Sequence, residues 1–145
     1  MYNTRMPLEQ STFKRQAAAI PFRVEGGKAE ILLIRRKGRP WGIPKGSIDP
    51  GHTPRECALN EAEEEAGLHG ELLEEPLGEF VYEKQFEEML VTVYAMRVTQ
   101  ADDQWQEQSF RERRWFGIEQ ALSQIGRRDL QPMIAKLGRI LNSRS

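Results

Sequence analysis

Residues 53–67 carry the start, the stop and both faces of one helix in their side-chain types. Thr53-Pro54-Arg55-Glu56 is a capping box with proline at the first helical position, and Gly67 is suited to end the helix. At about 100° per residue, Ala58, Leu59, Ala62 and Ala66 share one face, and small residues there let the helix lie close to a sheet. Glu61, Glu64 and Glu65 occupy the neighbouring face, with Glu63 in the same run. Like charges at i and i+4 destabilise a helix by a few tenths of a kcal/mol per pair. No Lys or Arg stands three or four positions from these three to relieve them, so a bound cation would.

The surrounding pattern predicts an α/β protein with a mixed sheet and helices on both faces. Ala17 to Val24 and Glu30 to Arg35 read as two strands of a hairpin turned at Gly26-Gly27. Trp41 to Pro44 is extended, because Pro40 and Pro44 each restrict the residue before them. Glu71 to Tyr82 and Met89 to Val98 read as strands joined by a polar connection, Glu83 to Glu88, and Arg113 to Phe116 as a last short strand. Ile118 to Ile125 and Leu130 to Leu141 have helical spacing. Residues 1–15 read as a flexible N-terminal arm and 16–145 as a single domain.

A net charge of -1, from 21 basic and 22 acidic residues, gives no global attraction to nucleic acid or to an anionic membrane, and neither partner is expected. The single cysteine, Cys57, fits a reducing cytoplasm and reads as packing. No signal-like apolar segment opens the sequence, and no run reaches the 18 or so apolar residues that span a bilayer. A monomer or homodimer acting on a small molecule is the expected form.

The glutamates suit a hard divalent ion, which takes oxygen ligands and keeps waters and substrate phosphates around it. Glu61, Glu64 and Glu65 supply carboxylates from a rigid element, and Gly46, in the glycine-rich turn before them, permits close backbone approach. His52, His69 and Cys57 form no zinc pattern. The chemistry implied is metal-assisted attack of water on phosphorus. The bland alternative is a solvated acidic face.

Here the chain resembles the Nudix hydrolase family. Gly46, His52 and the run from Asn60 to Leu68 follow the Nudix box, Gly-x5-Glu-x7-Arg-Glu-apolar-x-Glu-Glu-x-Gly-apolar, at seven of its nine defined positions. Trp41 to Gly46 and Arg114-Trp115-Phe116 are similar to the flanks of the box in that family. The resemblance implies a Nudix α/β/α sandwich with a mixed β-sheet and a pyrophosphatase-type hydrolase. It implies magnesium or manganese (Mg²⁺ or Mn²⁺) as cofactor, catalytic and metal-binding roles for Glu61, Glu64 and Glu65, and help from the Gly46 carbonyl. His52 and Asn60 depart from the box, standing where the family usually pairs a glutamate with an arginine; the two are expected to hydrogen-bond instead or to mark weakened activity.

Glu61 is the first candidate for general base; Glu87, Glu88, Glu107 and Glu112 are read either as carboxylates that complete the metal site or act as base, or as surface carboxylates. Arg35, Arg36, Lys37, Arg39 and Lys45 form a basic rim suited to polyphosphate, and Arg35, Arg36, Arg39 and Lys45 are the substrate-binding candidates. Trp41, Tyr82 and Phe86 can stack on a base or belong to the core. Within the family the flanks are similar to hydrolases of diadenosine and diphosphoinositol polyphosphates, the former favoured as substrate type. The alternative is a catalytically weakened Nudix-fold domain that binds a nucleotide or phosphorylated metabolite as a sensor or regulator.

Overall fold

The computed structural model describes residues 13–143. They form strands β1 (Lys14–Glu25), β2 (Lys28–Arg36) and β3 (Lys45–Ser47), helix α1 (Pro54–Ala66), and strands β4 (Leu68–Leu72), β5 (Gly78–Lys84), β6 (Glu87–Ala101) and β7 (Arg111–Gly117). Helices α2 (Ile118–Gln124) and α3 (Gln131–Ser143) follow, α3 entered through a 3-10 turn at Arg128–Leu130. The sheet runs β4-β6-β1-β2-β7, with β3 joined to β1 and β5 to β6. It is mixed, because β1 lies parallel to β6 while the other pairs are antiparallel.

Strand alternation divides the core into two layers. Ala17 and Ala19 of β1, Leu32 and Ile34 of β2, and Tyr94 and Met96 of β6 face α1, whose Cys57, Ala58, Ala62 and Ala66 pack on them. Ala18, Ile20, Ile31, Leu33, Val91 and Val93 face the other way, against Ile134, Leu137 and Leu141 of α3. Alanine against alanine brings α1 down close to the sheet, while the opposite layer is filled by large side chains. Each large aliphatic group taken fully from water there is worth about 1.5–3 kcal/mol.

One edge of β1 is shared between two partners. Residues 22–25 pair with β2, whereas residues 16–18 pair with β3, extended by a bond from the Ala19 N–H to the Pro44 carbonyl at 3.1 Å. Pro21, which has no N–H to offer, sits where β1 changes partner. The end of β2 turns instead to the Trp41–Ile43 segment, exchanging bonds between Ile34 and Gly42 at 2.9 and 2.7 Å. The fork holds β3, and with it Gly46, beside the sheet.

The structure departs from the sequence reading in four places, the first being Gly46, expected in a turn but lying in β3 because its backbone pairs with Ala17 of β1. β1 begins at Lys14, inside the stretch read as an arm, because Lys14 and Arg15 pair through their backbones with Met89 and Leu90 of β6; residues 1–12 of that stretch lie outside the described residues. The strand expected over Glu71 to Tyr82 is two strands, β4 and β5, interrupted around Pro76. Glu83 to Glu88 is a tight hairpin rather than a loop: Glu83 pairs with Glu88, Lys84 with Glu87, and Gln85 and Phe86 take φ of 52° and 67°. Among the described residues no helix is long and apolar enough to cross a membrane.

Candidate active site

The capping box of α1 forms in full: the Glu56 N–H donates to Thr53 Oγ1 at 3.1 Å, and the Thr53 N–H to Glu56 Oε1 at 2.8 Å. Gly67 closes the helix in the left-handed conformation at φ 67°. Beyond this cap, the segment from Asp102 to Arg113 forms a collar around the last turn. The Glu107 N–H donates to the Glu64 carbonyl at 3.1 Å, Trp105 Nε1 to the Glu65 carbonyl at 3.0 Å, and Arg113 Nη1 to the Ala66 carbonyl at 2.6 Å. The Asp102 N–H reaches the Gly67 carbonyl at 2.8 Å, and the Arg113 guanidinium lies 4.1 Å from the Trp105 ring centroid. Carbonyls that a helix end leaves unpaired are thereby satisfied, and the glutamates they belong to are fixed in place.

At the other end of the acidic face, Gly46 and Glu61 fit one another. A Cβ built on Gly46 would lie 2.4 Å from Glu61 Cδ and 2.6 Å from each of its carboxylate oxygens. The glycine therefore leaves a cradle in which the Glu61 carboxylate sits. Cys57 Sγ is 3.4 Å from the Gly46 carbonyl and 3.5 Å from that of Ser47, so its thiol ties β3 to α1. Burial, with the charge of Glu61 added, pushes that thiol up to about 11, which keeps it a thiol and a donor.

Glu65 is buried at 7% exposure, and desolvation, a hydrogen bond with Glu61 and the charges of Glu61 and Glu107 push its carboxyl up to about 9 against the pull of Arg111. Glu64 is also raised, first by desolvation and then by the charges of Glu61, Glu107 and Asp49. Glu107 thus joins the box carboxylates from outside the box. Arg111 bridges them, its Nε donating to Glu107 Oε1 at 2.6 Å and its Nη2 standing 3.9 Å from Glu65 Oε1.

Among the described residues no three His, Cys, Asp or Glu side chains are already gathered as metal ligands. The donor set nevertheless fits a hard divalent cation: every donor is oxygen, the Glu61 carboxylate is seated against Gly46, and the crowding of carboxylates that raises Glu64 and Glu65 is what a bound positive charge would relieve. The pH dependence of stability follows with a definite sign. Glu65 keeps its proton in the folded chain up to about 9, whereas its ordinary value is 4.5. Between those values the unfolded chain binds fewer protons, so stability in chelator should fall as pH rises across the window and level off above it. Urea midpoints measured from pH 5 to pH 9 check this, and Glu65→Gln should flatten the profile.

The expected substrate-binding residues Arg35, Arg36, Arg39 and Lys45 do come together. They line a cleft of about 230 Å³ with Arg111 and Arg127, two cations that the sequence reading did not single out. Lys37 is exposed and does not line it. Aromatic rings hold several of these cations: Arg35 lies 4.2 Å from the Trp41 centroid, Arg36 4.6 Å from Phe110, and Arg127 5.0 Å from Phe80. Arg35 Nε is 3.3 Å from Glu112 Oε2 but is not aligned to donate to it.

Other candidates separate. Trp41 is buried against Phe116 at a ring separation of 5.1 Å and belongs to the core. Phe86, at 98% exposure, stands at the tip of the β5–β6 hairpin, whose exposed Glu87 and Glu88 begin β6. Glu112 pairs with Arg35. His52 and Asn60 are both exposed and make no hydrogen bond to one another; the His52 N–H bonds the Asp49 carbonyl at 3.0 Å.

The family model described as NUDIX domain matches residues 13–137. The chain belongs to this family. Among Nudix relatives, Nudix hydrolase 21, chloroplastic, of Arabidopsis thaliana is 32% identical over 117 residues, covering 76% of this chain and 59% of its own. Diphosphoinositol polyphosphate phosphohydrolase 2 of Homo sapiens is 32% identical over 124 residues, covering 83% and 67%. The chain therefore spans less than two thirds of the Arabidopsis relative's length. Among solved structures, a C. elegans Ap4A hydrolase binary complex superposes with a TM-score of 0.76 at 23% identity, over 90% of this chain and 98% of that one. That likeness is one of fold.

Proposed function

We propose that this Nudix domain is a divalent-cation-dependent hydrolase of a diphosphate linkage in a nucleoside or inositol polyphosphate. The observation that carries the reading is the Glu61 carboxylate seated in the Gly46 cradle, with Glu64, Glu65 and Glu107 in electrostatic reach, beside a cleft lined by Arg35, Arg36, Arg39, Lys45, Arg111 and Arg127. An acidic centre next to a basic cleft suits a substrate whose phosphates enter the cleft and whose scissile linkage meets the carboxylates.

Glu61, Glu64 and Glu65, with the Gly46 carbonyl, would hold Mg²⁺ or Mn²⁺. When bound, such an ion screens phosphate oxygens and lowers the pKa of an attacking water. The chain's own groups do the rest. Arg36, Arg39 and Lys45 draw in and orient the phosphates. Arg111, already tied to Glu107, stands between phosphate and carboxylate and keeps the two charges in register. Glu61 accepts the proton of water, and Glu107 is the second carboxylate able to do so. Substrates of the diadenosine polyphosphate type are the first to try, followed by diphosphoinositol polyphosphates, which the name of the human relative supports.

The test is pyrophosphohydrolase activity across dinucleoside polyphosphates, nucleoside triphosphates, nucleotide sugars and diphosphoinositol phosphates, with Mg²⁺, Mn²⁺ or chelator. Cation-dependent turnover of one class supports the reading; binding without turnover of any class replaces it with the sensor or regulator reading. His52 and Asn60, both exposed and making no hydrogen bond to one another, favour that second reading, since the link they would have supplied is missing. Restoring it with H52E and N60R together is expected to preserve or raise kcat/KM, and steady-state kinetics of the double variant check this.

A further inference from the structure

Tyr82 stands where two cleft cations meet. Lys45 Nζ is 4.8 Å from its ring centroid and donates to its hydroxyl at 3.1 Å, while the Arg127 guanidinium lies 4.8 Å from the same centroid. The hydroxyl is committed as well. It donates to Oε1 of Gln16 at 2.8 Å, so the lone pairs that remain face Lys45. Gln16 is a buried polar side chain, 5% exposed, and its Nε2 is 3.5 Å from Ser47 Oγ on the strand that carries Gly46. Arg127 is fixed from its own side: the Gly126 N–H donates to the Trp41 carbonyl at 2.9 Å, and a Cβ on Gly126 would lie 2.6 Å from Pro40 Cβ.

We propose that Tyr82, oriented by Gln16, is a positioning residue that sets Lys45 and Arg127 at a fixed separation to grip successive phosphates of a polyphosphate chain. Its ring is a post for cations and not a platform for a base. A cation over an aromatic face is attracted by the ring quadrupole; the ring takes Arg127 and the hydroxyl takes Lys45, so one side chain holds the two cations near each other despite their mutual repulsion. The consequence for specificity is that this part of the cleft reads the number and spacing of phosphates and is indifferent to the base or polyol attached. The inference rests on the substrate-binding part of the proposed function and not on turnover.

The probe is inorganic tripolyphosphate, which has no base, with its binding to the full chain measured by calorimetry beside that of a nucleoside tetraphosphate. Tyr82→Leu is expected to weaken both by the same factor, about tenfold. Tyr82→Phe, which keeps the ring and removes the hydroxyl, should recover most of the loss by retaining Arg127. In an active preparation Tyr82→Leu should raise KM and leave kcat within about twofold, the pattern of lost uniform binding. If Tyr82→Leu weakens only the nucleotide, the ring stacks on a base and the proposal falls; equal affinity of wild type and both variants for tripolyphosphate also overturns it. Should Tyr82→Leu not fold, Lys45→Met and Arg127→Met take its place: each should weaken tripolyphosphate, and no change in either variant overturns the proposal. Binding of tripolyphosphate that depends on Tyr82 without hydrolysis of any substrate would remove the hydrolase reading and leave this one standing.

Discussion

Gly46→Ala is expected to lower turnover by about 10²-fold with little change in thermal stability. The two effects separate because of what the new methyl group meets. The clash is with the carboxylate end of Glu61, at 2.4 Å, and not with backbone or core. Gly46 does not need positive φ, so alanine strains nothing in β3. A flexible side-chain end can swing away at small cost to folding, but it then leaves the place from which it works. Steady-state rates and a thermal melt on the same preparation check the prediction. A variant that keeps full activity would show that the Glu61 carboxylate does not act from the cradle.

Glu64→Gln is expected to reduce kcat roughly 10²–10³-fold, the size of losing one preorganised charge-stabilising group, and to raise the Mg²⁺ concentration needed for half-maximal rate. The substitution keeps the shape of the side chain. The backbone bond from the Glu107 N–H to the residue 64 carbonyl at 3.1 Å is untouched, so the collar should hold. Desolvation first, and then the charges of Glu61, Glu107, Asp49 and Glu63, push the Glu64 pKa upward, so removing its charge should stabilise the cation-free protein. A more stable and far less active variant is thus the expected pair of results from kinetics and denaturant unfolding. Unchanged activity would overturn the role assigned to Glu64.

Helix α1 was legible because its signals are local. The capping box, the proline at the first helical position and the left-handed Gly67 lie where their spacing puts them. The first hairpin was legible for the same reason, with Gly26 and Gly27 both at positive φ. The second was not, since its turn is made by Gln85 and Phe86, residues that rarely take positive φ and carry no such mark. The basic rim was read from its density in sequence, yet Arg127 joins it from a segment far along the chain, brought in by the bond between Gly126 and Trp41. The collar of Asp102, Trp105, Glu107 and Arg113 was hidden likewise, because each of its bonds to α1 spans more than thirty residues. Of the four outlying glutamates only the folded chain distinguishes Glu107, which meets the acidic face, from Glu112, which meets Arg35.

The change of partner along β1 at Pro21 also divides labour in a way that bears on how such a domain diversifies. The acidic helix is anchored through β3 to residues 16–18, while much of the cleft's basic wall hangs from the end of β2 and the turn that follows it. Under the proposed function, insertions or exchanges in that turn would remodel which molecule is admitted, while the acidic helix stays moored to a different length of the same strand. The part of recognition that hangs from this turn would then be free to change at its own rate, while Lys45, on β3 beside Gly46, stays tied to the chemistry.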